Sequence, residues 1–148
     1  MMNISLPITT LTEQAVVPHN AYKGDAGYDL CAVENCVLQP FERALIPTGL
    51  AIAIPEGHAG LVVPRSGLAI KQGLSIVNAP GLIDSNYRGE LKVIAINLDP
   101  KEPITISVGD RIAQLVIVEV AQVTFNQVEA LDDSERGTGG FGSSGVSA

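Results

Sequence analysis

Alternation of apolar and polar positions runs through this chain and predicts strands nearly everywhere. Leu50, Ile52 and Ile54 alternate with the smaller Ala51 and Ala53 as far as Pro55, the pattern of a strand with one bulkier face. Ile104, Ile106 and Val108 alternate with Thr105 and Ser107, a second half-exposed strand. Over 112–120 the chain reads IAQLVIVEV, apolar on both faces and rich in β-branched residues. Such a strand should be covered on both sides, by a second sheet or by a neighbouring subunit. Clusters of Pro, Gly, Asn and Asp at 17–29, 55–60, 78–89 and 99–103 supply turns. This spacing predicts an all-β barrel or sandwich without internal repeats. One stretch departs from it: residues 66–73, SGLAIKQG, read as a short helical turn with Ser66 as N-cap and Gly73 just past its end.

Composition supports one ordinary domain. The chain has 148 residues, 46% of them hydrophobic, with a mean hydropathy of +0.28; wholesale disorder is excluded. Its 15 glycines and 9 prolines favour many short elements over long helices. A net charge of −7 makes a poor surface for DNA or RNA, whose phosphates are gripped by many Lys and Arg. A small anion held by a few local arginines stays open. No basic residue precedes Lys23, as a secretory leader would require, and no apolar run approaches the roughly 18 residues of a membrane span. Cys31 and Cys36 form no CxxC pair, and His19 and His58 are isolated, so these thiols read as free side chains packed inside a cytosolic protein.

Common catalytic patterns are missing: there is no GxSxG, no GxxxxGK[ST] and no HExxH. The glycines of 137–142 look like a dinucleotide loop but have no helix after them. Other groups are more informative. In Pro64-Arg65-Ser66-Gly67 an arginine and a hydroxyl stand at the start of the helical turn, beside a glycine that lets a ligand approach the backbone, an arrangement that suits an anion. The plain alternative is a capping Ser66 and a surface ion pair at Arg65. Residues 81–89 link the apolar runs SIVNAP and ELKVIAINL and read as a β-hairpin with a long tip, whose backbone could pair with the edge of a flat base. There Asp84 could orient or deprotonate a water and Tyr87 could pack on a sugar, or Asp84, Ser85 and Asn86 could simply form the turn. Gln114 is placed on one face with Ile112 and Val116 and needs a hydrogen-bond partner if buried. Asp110 and Arg111 read as a structural pair. Asp29, entering a strand after a turn, could hold a metal through water or bond within the core. The final RGTGGFGSSGVSA has the composition of a flexible tail, yet Arg136, Phe141 and Ser143-Ser144 equip it with a cation, a stacking ring and hydroxyls.

Taken together, AGYDL at 26–30, PRSGLA at 64–69, NAPGLIDSNYRGE at 78–90, GDRIAQL at 109–115 and RGTGGFGSSG at 136–145 resemble, in order, the five motifs of the trimeric dUTPase family. The resemblance spans nearly the whole chain. It implies a jelly-roll-type β-barrel over 1–135 with one short helix, and a flexible Gly/Ser-rich tail over 136–148 that closes over the active site. It also implies hydrolysis of dUTP to dUMP and pyrophosphate in the cytoplasm, which limits uracil incorporation into DNA and supplies dUMP for dTMP synthesis. Asp84 would activate the water that attacks the α-phosphorus in line. Asn78 and the backbone around Gly81 and Ile83 would read the uracil, with Lys92 nearby, and Tyr87 would pack on the deoxyribose. Arg65, Ser66, Gly67 and Gln114 would bind the phosphates, and Asp29 would hold Mg²⁺ through waters. Arg136 would clamp the γ-phosphate, Phe141 would stack on uracil, and Gly142, Ser143 and Ser144 would complete the contacts. The family assembles each site from three subunits, implying a homotrimer with no nucleic acid or membrane partner. Two other readings remain distinguishable: a dCTP deaminase of related fold, which would need a glutamate base, and a nucleotide-binding regulator without turnover.

Overall fold

The structure, a computed structural model, describes residues 3–148. In chain order its elements are β1 (Ile8–Thr10), β2 (Tyr28–Cys31), β3 (Cys36–Leu38), β4 (Arg43–Ile52), β5 (His58–Val63), α1 (Ser66–Gln72), β6 (Leu74–Ile76), β7 (Gly81–Ile83), β8 (Leu91–Asn97), β9 (Ile104–Ile106) and β10 (Arg111–Glu119). Two four-stranded antiparallel sheets, ordered β1-β4-β8-β6 and β2-β10-β5-β7, are joined by the ribbon β3-β9. Neighbours in each sheet are distant in sequence, so the chain crosses repeatedly between layers, the jelly-roll arrangement expected. Alternation drives the packing: Leu91, Val93 and Ala95 of β8 are buried between outward-facing Lys92 and Ile94. They meet Leu30, Leu50, Val62 and Leu115 in one core.

Most expected elements are present, with shifted limits. The strand read at 50–54 is the end of the longer β4, and Ile54 lies beyond it, still buried. Ile104 and Ile106 point inward around Thr105, while Val108 falls in the following turn. Strand β10 corrects one reading. Its pairing with β2 shifts between Arg111 and Ala113, a β-bulge that puts both Ile112 and Ala113 in the core. Parity changes there, so Gln114 shares a face with Val116 and not with Ile112. The outer face, Val116 and Val118, is only half-buried in the single chain. Helix α1 corrects another: Arg65 occupies the N-cap without a side-chain cap, so Ser66 is the first helical residue and its hydroxyl is not spent on capping. Gly73 does end the helix, at φ 73°.

The expected hairpin is replaced by a crossover. Strand β7 pairs with β5 and β8 pairs with β4 and β6, so residues 84–90 pass between the two sheets. Strand β8 therefore has no partner in β7. A second bulge, at Thr48-Gly49 of β4, supports this crossing. Thr48 donates to the Leu91 carbonyl (2.6 Å), and the Gly49 N–H donates to Glu90 Oε1 (2.9 Å). Gly49 has φ 68°, and a side chain there would meet Ala15 Cβ at 2.9 Å, so only glycine fits. Asn97 is the other buried polar anchor. It donates to the Leu38 and Glu102 carbonyls and accepts from the Asp99 N–H. Beyond Glu119 the chain forms no further strand, and residues 121–138 are exposed throughout.

Candidate active site

Strand register builds one half of the site. In β10, Gln114 stands opposite Asp29 of β2 on one side and Val63 of β5 on the other. Pro64 and Arg65 follow Val63 directly, so three adjacent strands bring Asp29, Gln114 and Arg65 into one row across the sheet. Gln114 Nε2 donates to the Pro64 carbonyl (3.0 Å), which supplies the partner its half-buried amide requires. The amide lies against Gly27, where any side chain would overlap it. Arg65 Nε pairs with Asp29 Oδ1 at 3.0 Å, and Arg65 Nη1 donates to the Arg111 carbonyl at 3.2 Å. Asp29 also accepts from Arg111 Nη1 at 3.4 Å. Arg111 therefore does not pair with Asp110, whose carboxylate instead accepts the Ser107 N–H. The Arg111 contact was missed in the sequence because the bulge that aims it leaves no mark on the alternation pattern.

These groups surround an open hollow of about 610 Å³, lined by Asp29, Arg65, Ser66, Gly67 and Gln114 together with Tyr22, Asp25 and Lys71. Guanidinium, hydroxyl, amide and bare backbone converge there, a donor set suited to oxygen-rich anions. Asp29, tied to two arginines, and Asp25, which accepts the Tyr22 N–H, make no cage for a metal by themselves. Among the described residues no group of three or more His, Cys, Asp or Glu gathers to hold one. Asp29 fits a cation that takes most of its ligands from a bound substrate and waters.

The other half lies across β5, around β7. Asn78, Gly81, Ile83 and Lys92 line a narrow slot of about 50 Å³, which continues into a hollow of about 290 Å³ bounded by Ile83, Asp84, Tyr87 and Lys92. The crossover is internally braced. Tyr87 Oη donates to the Glu90 carbonyl (2.9 Å), and Arg88 Nη1 donates to the Ser85 and Tyr87 carbonyls. The Tyr87 ring lies over Gly89, where a Cβ would collide with it. Glu90 Oε2 holds Lys92 Nζ at 3.6 Å while Oε1 grips the Gly49 N–H. Asp84 is exposed, and its backbone carbonyl accepts the Tyr87 N–H at 3.1 Å. No residue lines both this region and the 610 Å³ hollow. One chain thus brings the expected residues together in two groups, not one.

The tail joins neither group. Arg136 Nε donates to Gly139 O within its own turn (2.7 Å), Ser143 N donates to Gly140 O, and the Phe141 ring is fully exposed. Few acid–base properties are displaced. Burial pushes the Cys31 thiol up, with the Asp29 carboxylate adding to it, and burial raises Cys36 with help from Glu42 and Glu34. The N–H groups of Glu102 and Lys101 hold Asp99 below the usual carboxylate range. No helix among the described residues is long and apolar enough to cross a membrane.

Comparisons with known proteins converge. The dUTPase family model matches residues 13–145. The deoxyuridine 5'-triphosphate nucleotidohydrolase of Rhodococcus erythropolis is 55% identical over 143 residues, 97% of this chain and 87% of the relative. The dUTPase of Staphylococcus bacteriophage 80alpha, solved with dUPNHPP, superposes with a TM-score of 0.89 at 37% identity, covering 97% of this chain and 100% of that one. A mutant dUTPase of S. aureus phage phi11, solved to describe a structural Mg(II) ion, gives a TM-score of 0.80 at 34% identity over 86% of this chain and 98% of that one.

Proposed function

Since the chain belongs to the dUTPase family and is by that kinship an enzyme that hydrolyses dUTP, we propose a mechanism in which Asp84 activates the attacking water and a homotrimer completes each site. The observation that carries it is the split just described. The phosphate-type donors and the Asp84–Tyr87 group occupy separate hollows of one chain, which supports a substrate that meets both across neighbouring copies. The half-exposed Val116 and Val118 suit burial in such an assembly.

Arg65, Ser66, Gly67 and Gln114 bind the phosphate chain of dUTP, with Arg65 preset by Asp29. Mg²⁺, held by the substrate and through waters by Asp29, would neutralise charge on the phosphate oxygens. From a neighbouring copy, Asn78 and the backbone at Gly81 and Ile83 read the uracil edge, and Lys92 bounds the same slot. Tyr87, its ring fixed over Gly89, packs on the deoxyribose and excludes a 2′-hydroxyl. Asp84 then takes the proton of a water attacking the α-phosphorus in line, and dUMP and pyrophosphate leave. The barrel of residues 1–135 provides these groups. Residues 136–148 close over them, with Arg136 on the γ-phosphate, Phe141 stacked on uracil, and Gly142, Ser143 and Ser144 giving further contacts that exclude water. We place the enzyme in the cytoplasm, limiting uracil incorporation into DNA and supplying dUMP for dTMP synthesis.

The test is a product assay with purified protein and Mg²⁺, offered dUTP and dCTP separately. Release of dUMP from dUTP with dCTP untouched supports the reading. Conversion of dCTP would point to a deaminase, and inertness toward both to a binding protein. Asp84→Asn should keep nucleotide binding and lower turnover by about 10²–10⁴-fold; near-normal turnover would remove Asp84 from the base role.

A further inference from the structure

One cation in the phosphate-side hollow has no ion-pair partner among the described residues. Arg65 is tied to Asp29 and to the Arg111 carbonyl, whereas Lys71, which lines the same hollow, makes no ion pair among the described residues. The geometry of α1 explains its place. Residues four apart share a helix face, so Lys71 projects from the same face of α1 as Gly67. Gly67 has no side chain, and the space its Cβ would occupy is open. An ammonium on a flexible stem can therefore swing across bare backbone into the hollow. Tyr22 lines the same hollow, presented by a turn in which the Tyr22 N–H donates to Asp25 Oδ2 (2.9 Å) and the Asp25 N–H donates back to Tyr22 O (3.2 Å).

Resting on the dUTP-hydrolase reading, we propose that Lys71 is a substrate-binding residue that recognises the outer phosphates of the nucleotide, making the hollow discriminate a triphosphate from a monophosphate. Charge placement supports this. Asp25 and Asp29 both line the hollow, and Asp29 already offsets much of the charge of Arg65 and Arg111. A polyanion entering there needs positive charge that no carboxylate has claimed, and Lys71 supplies it. A compact ammonium with rotatable donors on a flexible stem can follow a phosphate chain as it shifts between bound and cleaved geometries. Because the side chain is exposed and must be ordered on binding, its effect should be modest and selective.

The experiment is calorimetric titration of the full chain, wild type, Lys71→Gln and Lys71→Arg, with a non-hydrolysable α,β-imido dUTP and separately with dUMP. Lys71→Gln should weaken the triphosphate analogue about fivefold and leave dUMP within about twofold, while Lys71→Arg keeps most of the affinity. In steady state, KM for dUTP should rise with kcat little changed. Unchanged affinity for the analogue in Lys71→Gln, or an equal loss for dUMP, overturns the proposal while leaving the dUTP reading intact. A wild-type chain that binds neither nucleotide overturns both.

Discussion

The phosphate-side hollow and the C-terminal tail carry similar groups and hold them in opposite ways. In the hollow, Arg65 is fixed at two points, Gln114 by the Pro64 carbonyl, and both by the register of three strands. In the tail, Arg136 bonds only its own turn, and Phe141 stands free in solvent. A preorganised site binds without ordering itself, whereas each tail residue that docks gives up roughly 1–2 kcal/mol of backbone freedom. That asymmetry suits the proposed division of labour, in which a rigid cradle would select the anion and the tail would seal it once substrate is present.

Removing the tail should expose this contrast most strongly. A chain ending at Glu135 is expected to lose about 100-fold in kcat/KM for dUTP, yet to melt at the same temperature, since among the described residues the tail bonds nothing in the barrel. Full activity in that truncation would break the division of labour. The barrel should behave in reverse. Asn97→Ala leaves the Leu38 and Glu102 carbonyls and the Asp99 N–H without their partner, at a cost of about 2–3 kcal/mol by denaturant titration. Asp29→Ala frees Arg65 and Arg111 together and should lower kcat/KM about tenfold, mostly through KM; an unchanged KM would mean that Arg65 needs no anchor. The smallest effect belongs to Asp99. Its carboxyl is held below the usual range, so it adds stability above about pH 3.9, and that contribution disappears as pH falls through the lower folded value. Melting temperatures of Asp99→Asn and wild type should differ by a degree or two at pH 7 and converge near pH 2.

Much of this molecule was legible in its residues because strands write period-two patterns. The last part of β4, strands β9 and β10, helix α1 and its Gly73 stop were all readable, though not their limits. Three features were not, for one shared reason. The bulge before Ala113 changes the face of Gln114, the Thr48-Gly49 bulge aims Glu90 at Lys92, and β7 leaves its sequence neighbour β8 for β5. Each depends on which strand becomes a partner, and partner choice is made by long-range packing that no local window contains.

The amino-acid sequence by itself determined the all-β character, the order of the motif residues and a homeless Gly-rich end, because these follow from local periodicity and composition. Only the tertiary structure decided that Asp29 is shared between Arg65 and Arg111, that Lys71 lines the hollow beside Arg65 and Asp29, and that Asp84 and Tyr87 stand in a different one. Those facts depend on strand register and helix direction, which place residues tens of positions apart within a few ångströms of each other.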